Sequence, residues 1–488
     1  MMRDAILAID QGTTSSRVIL FGLGGEVLQS FQHEFASSYP QSGWVEQDAN
    51  SIWDDVFRLC SEAVTYARLN DLRIDSIGIT NQRETVVFFD KTTQLALSSA
   101  IVWQDRRTAE ACQKLIDAGH SEFVKQRTGL VIDPYFSASK IEWGLKHDSK
   151  VQEALANKNL GVATIDSWLL YKLTHGKLHA TDSSNASRTM LFDIVEHRWC
   201  EELLALFDVP QEILPRVMNS IDDYGSTADG LFDITIPIRA LIGDQQSAAI
   251  GQNCLTKGDG KCTLGTGAFA IQNIGDVCRP NDSGLLTTIL FSYKGTITYA
   301  TEGSIFSSGS TMQWLRDSLG ILDRTSDSKK IAASINSTGG VYLVPAFSGL
   351  AAPHWSPDAR AVIVGISSKT TRKEIVRAAL EAVSYQCHDI FSSDLPDALK
   401  VDGGMAANDW LLQHLADILQ CRVVRPSNLE ATAWGAARCA AIGHGSLSLG
   451  NYITISGDSF APTMKNDERQ QLLTGWRAAV DSCIKLNA

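Results

Sequence analysis

Several familiar signatures are missing from these 488 residues, and each gap closes off a class of function. The ten cysteines are scattered, with no C-x-x-C pair, which fits reduced, mostly buried thiols in a cytosolic enzyme. The ten histidines show neither H-E-x-x-H nor clustered spacing, so nothing points to a zinc site. No stretch approaches the ~18–20 apolar residues of a membrane span. The apolar run Ala5–Ile9 is too short for the core of a signal peptide. Lys and Arg number 43 against 55 Asp and Glu, and a formal net charge of −12 counts against wholesale binding of nucleic acid or an anionic membrane. G-x-x-x-x-G-K-[ST], a G-x-G-x-x-G opening a helix, the H-R-D and D-F-G pair and G-x-S-x-G are all absent, which removes the common nucleotide loops and the hydrolase elbow. At 44% hydrophobic and 20% charged, the chain is expected to be soluble, cytoplasmic and folded around a sizeable core. Its length predicts two or three domains at roughly 150 residues each.

What is present reads as an α/β protein. Ala5–Ile9 is a continuous apolar run typical of a buried strand, followed by strands at Ser16–Phe21 and Glu26–Phe31, with Gly12-Thr13-Thr14 and Gly22–Gly25 as turns. Helical spacing over Asp48–Tyr66 predicts a helix capped by Asp48 or Asn50, and a strand follows at Ile74–Thr80. The arrangement recurs past the middle. A Gly-rich strand and turn run Lys261–Phe269, strands are predicted at Gly284–Leu290, Thr296–Ala300 and Gly340–Pro345, and helices at Ser310–Leu319 and Asn408–Leu419. A strand at Leu399–Gly404 opens the last of these. Two β-then-α halves, each opening with a Gly/Thr hairpin, predict two domains of related fold facing a cleft, 1–250 and 251–488.

The sharpest local signal is Asp10-Gln-Gly-Thr-Thr-Ser-Ser-Arg17. Its backbone N–H groups and hydroxyls can cradle phosphate oxygens, Arg17 can neutralise a phosphate, and Asp10 can hold Mg²⁺ directly or through water. An ordinary hairpin with a surface Asp would read the same way. Gly265-Thr266-Gly267 is a weaker sign of a second such loop.

These segments resemble the first and second phosphate loops of the carbohydrate kinases in the sugar kinase/Hsp70/actin superfamily, and Val401-Asp-Gly-Gly404 resembles their adenosine loop. The resemblance narrows to the glycerol-phosphorylating members of the FGGY family. Its residues are Asn81–Thr85, Trp103–Arg107, Asp133–Phe136, Thr181–Met190, Gly243–Gln246, Pro345–Leu350, Pro353–Trp355 and Gly475-Trp476. It implies two ribonuclease H-like, actin-like ATPase domains with a cleft between them, ATP and Mg²⁺ as cofactors, glycerol as acceptor, and a homodimer or homotetramer. Asp244 matches the general base, where the residue alone would read as a helix N-cap. Arg83 and Glu84 match the pair that grips the polyol, by an Arg fork donating to hydroxyl oxygens beside a carboxylate accepting from hydroxyls. Tyr135 and Gln245 complete the polar set, and Trp103 and Phe269 pack on the carbon chain. Thr13, Thr14, Ser15, Arg17 and Thr266 match phosphate contacts. Gly309, Gln313, Gly404 and Asn408 match positions around ribose and adenine, with Gly404 expected to admit the nucleotide closely. Asp10 and Asp244 match the metal carboxylates, and Arg188 is given no catalytic part. The alternatives left open are a kinase of another small polyol or ketose, an ATPase that moves without transferring phosphate, and a non-catalytic binding protein.

The chain departs from the pattern at Ala268, at Met405, at Asp409, which adds a negative charge beside Asn408, and in a shortened stretch between Gln386 and Val401. Thr235 stands where regulated bacterial members carry an Arg in a loop that binds a sugar bisphosphate. A threonine lacks the fork-like cation such an anion needs. Fructose 1,6-bisphosphate is therefore predicted to inhibit weakly or not at all. Strong inhibition at cellular concentrations in an activity titration would refute this.

Overall fold

The computed structural model describes residues 2–278, 284–392, 394–427, 430–450 and 456–486. Its first sheet is built from β1 (Arg3–Gln11), β2 (Ser15–Phe21), β3 (Val27–Glu34), β4 (Leu72–Asn81) and β5 (Ile238–Gly243), in the order β5-β4-β1-β2-β3. β1 runs antiparallel to β2 and parallel to β4, and β4 runs parallel to β5. Ala5–Ile9 is buried on both faces, which is why it reads as an unbroken apolar run. One face is covered by α1 (Ala49–Leu69), which turns Ile52, Val56, Leu59 and Ala63 inward. Asp48 is its cap, accepting from the backbone N–H of Asn50 at 2.9 Å. Asn50 is not the cap; it lies within the helix and accepts from the Ala96 N–H at 3.0 Å. β5 begins at Ile238, because Pro237 has no N–H to pair.

Between β4 and β5 lies a large insertion that strand and helix periodicity left unassigned. Val86–Asp90 pairs with Leu160–Thr164, Leu95–Ala96 and Ala100–Ile101, which in turn pairs with Glu46–Gln47. Its core, with Phe88, Phe136, Phe192 and Trp199, also takes in Leu286, Ile289 and Tyr299 from the second half.

β5 leads directly into α2 (Asp244–Gly251). The second sheet contains β6 (Gly260–Leu264), β7 (Ala268–Gly275), β8 (Leu286–Tyr293), β9 (Thr296–Ile305), β10 (Ala398–Asp402), β11 (Arg422–Pro426) and β12 (Gly457–Phe460), ordered β8-β9-β7-β6-β10-β11-β12. β6 is antiparallel to β7 and parallel to β10, and β10 is parallel to β11, so β6 repeats the part of β1. The second half also supplies α3 (Gly309–Asp317), α4 (Arg372–Phe391), α5 (Asp409–Leu419), α6 (Ala431–His444) and α7 (Asn466–Lys485). The strand read over Gly340–Pro345 is shorter, Tyr342–Val344. Among the described residues no helix is long and apolar enough to cross a membrane.

α6 comes late in the chain yet packs on β1, β4, β5 and α2 of the first half. Ile6, Ala8, Ile19 and Phe21 meet its Ala433, Ala436, Ala437 and Ala440 in one cluster that also holds Ile271 and Ala300 of the second sheet. Glycines allow the backbones to touch. A Cβ on Gly435 would sit 1.8 Å from the Ser247 carbonyl oxygen, and one on Gly251 2.0 Å from that of Ala431. Gly435→Ala therefore has to push α6 away from α2. It is expected to lower unfolding free energy by about 1–3 kcal/mol, as overpacked cores do. Chemical denaturation measures this, and a loss below about 0.5 kcal/mol would contradict the contact.

Candidate active site

The β1–β2 turn sits at the open end of the first sheet. Asp10 faces Arg17 in register, and the Gly12 N–H closes the turn on the Ser15 carbonyl at 2.9 Å. Thr14 is exposed at the tip, with Thr13 and Ser15 half-buried beside it. Three amides brace the turn from below. Gln82 donates to Gln11 Oε1 at 3.1 Å and to Gln47 Oε1 at 2.8 Å, while Gln47 Nε2 donates to the Thr13 carbonyl at 2.7 Å. Trp103 Nε1 donates to Thr13 Oγ1 at 2.9 Å, tying the ring to the turn. Asp10 is buried, which raises its carboxyl pKa, and Arg17 offsets part of that rise. Arg17 donates to Asp10 Oδ2 and, at 2.6 Å, to Glu430 Oε2. Any phosphate meeting Arg17 thus shares it with two carboxylates. Glu430 and Gln47 were not anticipated, and Gln82, within the matching stretch Asn81–Thr85, was given no part; their partners lie far away in the chain.

The second turn is held by backbone alone. Gly265 N–H donates to the Gly267 carbonyl, the Thr266 carbonyl accepts from Ser308 and Ser310, and Gly309 N–H donates to the Gly265 carbonyl, at 2.8–3.0 Å. Thr266 is exposed at the tip. Gly309 opens α3 against this turn, and a Cβ there would lie 2.6 Å from the Gly265 oxygen. Gln313 is exposed one turn further along α3. The β10–α5 connection joins the same corner, where Ser308 Oγ donates to Met405 Sδ at 3.2 Å. The steric demand falls on Gly403, not Gly404. Gly403 has φ +88° and its Cβ position is 2.5 Å from the Leu264 oxygen, whereas a Cβ on Gly404 would meet nothing within 4 Å. Asn408 caps α5, accepting from Leu411 N–H at 3.2 Å. The extra charge of Asp409 is matched by Lys329 and by Arg425, the latter at 2.8 Å.

Deeper in the cleft the two halves meet through charge. Arg83, Glu84, Arg188 and Glu302 are all 3% exposed or less. Arg83 donates to both Glu302 oxygens, at 2.6 and 3.0 Å. Arg188 Nε donates to Glu84 Oε1 at 2.6 Å, and its NH2 lies 3.1 Å from Glu302 Oε1. Burial alone would raise the Glu302 carboxyl, but Arg188 and Arg83 outweigh it and hold the pKa at about 2. Burial prevails at Glu84, whose pKa is raised despite the two guanidiniums. Glu84 has φ +61°, a conformation uncommon for a residue with a Cβ and frequent at functional sites. Sequence reasoning missed Glu302, and its one signal was a lone carboxylate within the strand Thr296–Ile305. Arg188 is central here as a counter-ion, and its guanidinium carbon lies 5.4 Å from the Tyr135 ring centroid and 5.1 Å from that of Phe136.

Three rings wall the group. Trp103 lies 5.6 Å from Tyr135 and 6.5 Å from Phe269, edge-on to both. Asp244, first residue of α2, places Oδ1 3.2 Å from Arg83 Nε with its side chain 31% exposed to the cleft. Its pKa is raised by the burial around it, with Arg83 and Lys261 drawing it back. Gln245 Oε1 accepts from buried Lys261 at 2.5 Å. The structure therefore brings together Arg83, Glu84, Trp103, Tyr135, Asp244, Gln245 and Phe269, and adds Arg188, Glu302 and Lys261. Replacing Arg188 by Met leaves two buried carboxylates facing one guanidinium. A loss of about 3–5 kcal/mol in unfolding free energy is expected, and less than about 1 kcal/mol in a denaturant titration would contradict the arrangement.

Comparison with known proteins accords with this geometry. The N-terminal domain of the FGGY family of carbohydrate kinases matches residues 5–251, and the C-terminal domain of that family matches residues 260–444. The chain is 46% identical over 486 residues to a glycerol kinase of Rhodospirillum rubrum, covering 97% of this chain and 98% of that one. It is 47% identical to a glycerol kinase of Rhodopirellula baltica, over 98% of this chain and 90% of the relative. The crystal structure of Plasmodium falciparum glycerol kinase with ADP superposes with a TM-score of 0.94 at 33% identity, covering 99% of this chain and 98% of that one. Two sheets that repeat one central arrangement, a hairpin turn at the mouth of each, the match to both family domains and end-to-end similarity to these enzymes establish the membership: the chain belongs to the FGGY family of carbohydrate kinases.

Proposed function

We propose that the chain transfers the γ-phosphoryl group of ATP to a primary hydroxyl of glycerol, giving sn-glycerol 3-phosphate and ADP. The observation that supports this most is the Asp244 carboxylate poised 3.2 Å from Arg83 Nε beneath a wall of three rings, in a chain similar over its length to glycerol kinases. Arg83 and Glu84 read adjacent hydroxyls, Tyr135 and Gln245 extend the polar edge, and Trp103 and Phe269 cover the carbon chain. Asp244 takes the hydroxyl proton as the new O–P bond forms in line with the breaking bond to the β-phosphate oxygen, and ADP leaves. To do so it exchanges its contact with Arg83 for one with the substrate. Burial raises the pKa of Asp244, which favours its accepting that proton, and Arg83 and Lys261 draw it partly back.

On the nucleotide side, Thr13, Thr14, Ser15, Arg17 and Thr266 hold phosphate oxygens, and Gly309, Gln313, Gly404 and Asn408 surround ribose and adenine. The open space over Gly404 favours this reading. Mg²⁺ fits the donor set: Asp10 and Asp244 are hard oxygen ligands at the ends of β1 and β5, and this cation commonly takes one or two carboxylates together with phosphate oxygens and water. When bound it would neutralise charge on the transferring group. The same proposal divides the chain into domains 1–250 and 251–488, places the enzyme in the cytoplasm and leaves it a homodimer or homotetramer.

The test is a coupled ADP-release assay over glycerol, erythritol and xylulose, with Asp244→Asn in parallel. Glycerol is expected to lead by at least tenfold in kcat/KM, about 1.4 kcal/mol of transition-state discrimination. Asp244→Asn is expected to lose roughly 10²–10⁴ in kcat. A better acceptor by tenfold overturns the substrate, and near-normal turnover of Asp244→Asn overturns the base.

A further inference from the structure

Glu302 lies on β9, in the second half of the chain, while Arg83, Glu84 and Arg188 all precede α2. The Arg83–Glu302 pair thus reaches from one half to the other. All three nitrogens of Arg83 face a polar group. NH1 donates to Glu302 Oε2 at 2.6 Å and Gln246 Oε1 at 3.2 Å. NH2 donates to Glu302 Oε1 at 3.0 Å and the Tyr135 hydroxyl at 3.4 Å, and Nε faces Asp244 Oδ1 at 3.2 Å. A planar guanidinium held at both terminal nitrogens by one carboxylate has its plane fixed. The contacts to Tyr135 and Asp244 belong to the edge that faces the proposed polyol, and they are longer than the pair with Glu302.

Resting on the reading above, we infer that Glu302 is a positioning residue: the C-terminal half sets the plane of Arg83, so that the guanidinium edge now shared by Asp244 and Tyr135 is the one offered to the polyol. Glu302 also lies 3.1 Å from Arg188 NH2, an ion-pair contact without a hydrogen bond, and Arg188 Nε holds Glu84, so the charge of Glu302 lies beside both members of the polyol pair while its two-pronged grip is on Arg83 alone. Occupation of the polyol site is then felt in the second half even without nucleotide. Phe269, paired with Ser304 of β9, also faces the proposed polyol, so the first of these properties is the one that a counter-ion merely cancelling charge would lack.

Two measurements on the full-length protein separate these roles. Glu302→Asp keeps the charge but is one methylene short of the two-pronged grip, and it is expected to raise KM for glycerol at least tenfold with KM for ATP within threefold. Glu302→Gln should do the same with a larger loss of stability. In the unaltered protein, glycerol alone is expected to slow amide exchange in Thr296–Ile305 as well as around residues 82–85. A normal glycerol KM in a folded Glu302→Asp, or glycerol protection confined to the first half, would overturn the inference. If the unaltered enzyme prefers another acceptor, it is the substrate reading that fails, and the same KM comparison with that acceptor decides the role of Glu302.

Discussion

Four charges with almost no water around them have to cancel one another, and Arg83, Glu84, Arg188 and Glu302 do so. A lone ion so deeply buried would be several kcal/mol out of balance, while a set matched in charge, with hydrogen bonds from Arg83 to Glu302 and from Arg188 Nε to Glu84, is tolerable. The match can form only if the turn after β4, the stretch after the short helix Ser183–Ala186, and β9 arrive at one point. Supporting bonds deliver them. Asn81 and Asn185 exchange amide hydrogen bonds at 3.0 and 3.1 Å, Asp182 accepts from the Ser184 and Asn185 N–H groups, and Ser184 Oγ accepts from the Gly243 N–H at 3.0 Å. The last of these bonds sets the residue before Asp244. Arg83, Glu84, their counter-ions and the proposed base are therefore held on one set of linked segments.

The repeated topology explains where that assembly sits. β1 and β6 each occupy the middle of a sheet, antiparallel to the next strand and parallel to a later one, so each sheet presents its first turn at the same end. The two turns are built differently. The first carries Asp10 and Arg17 and leans on glutamine amides; the second relies on main-chain bonds and on glycines too crowded to bear a side chain. One is fit to handle charge, the other to let a ligand approach the backbone. Between the sheets α2 and α6 touch through Gly251 and Gly435, which keeps the proposed base, Asp244, at the start of α2 close to the strands of both halves.

Much of this was legible in the residues. Strands buried on both faces appear as continuous apolar runs, so Ala5–Ile9 and its neighbours could be read directly, as could the two turns, whose glycines and hydroxyls lie together in sequence. The insertion after β4 could not be read, because Leu95–Ala96 and Ala100–Ile101 are too short to show any period. Glu302, Lys261, Gln47 and Glu430 were invisible for another reason: each matters only through a partner far along the chain, as Glu302 does through Arg83. Arg188 was seen but given no part, since a buried arginine is defined by its carboxylates. The net charge of −12 was uninformative about the cleft, where burial and local pairing decide what each group does.

The proposed transfer requires the polyol to lie on the Arg83 edge with Asp244 turned from arginine to substrate. A crystal structure with glycerol and a non-hydrolysable ATP analogue tests this most directly. The predicted result is glycerol hydroxyls bonded to Arg83 and Glu84, with an Asp244 oxygen within hydrogen-bond distance of a terminal hydroxyl while Glu302 still grips Arg83. Glycerol bound elsewhere, or Asp244 still paired with Arg83 in the filled site, would contradict it.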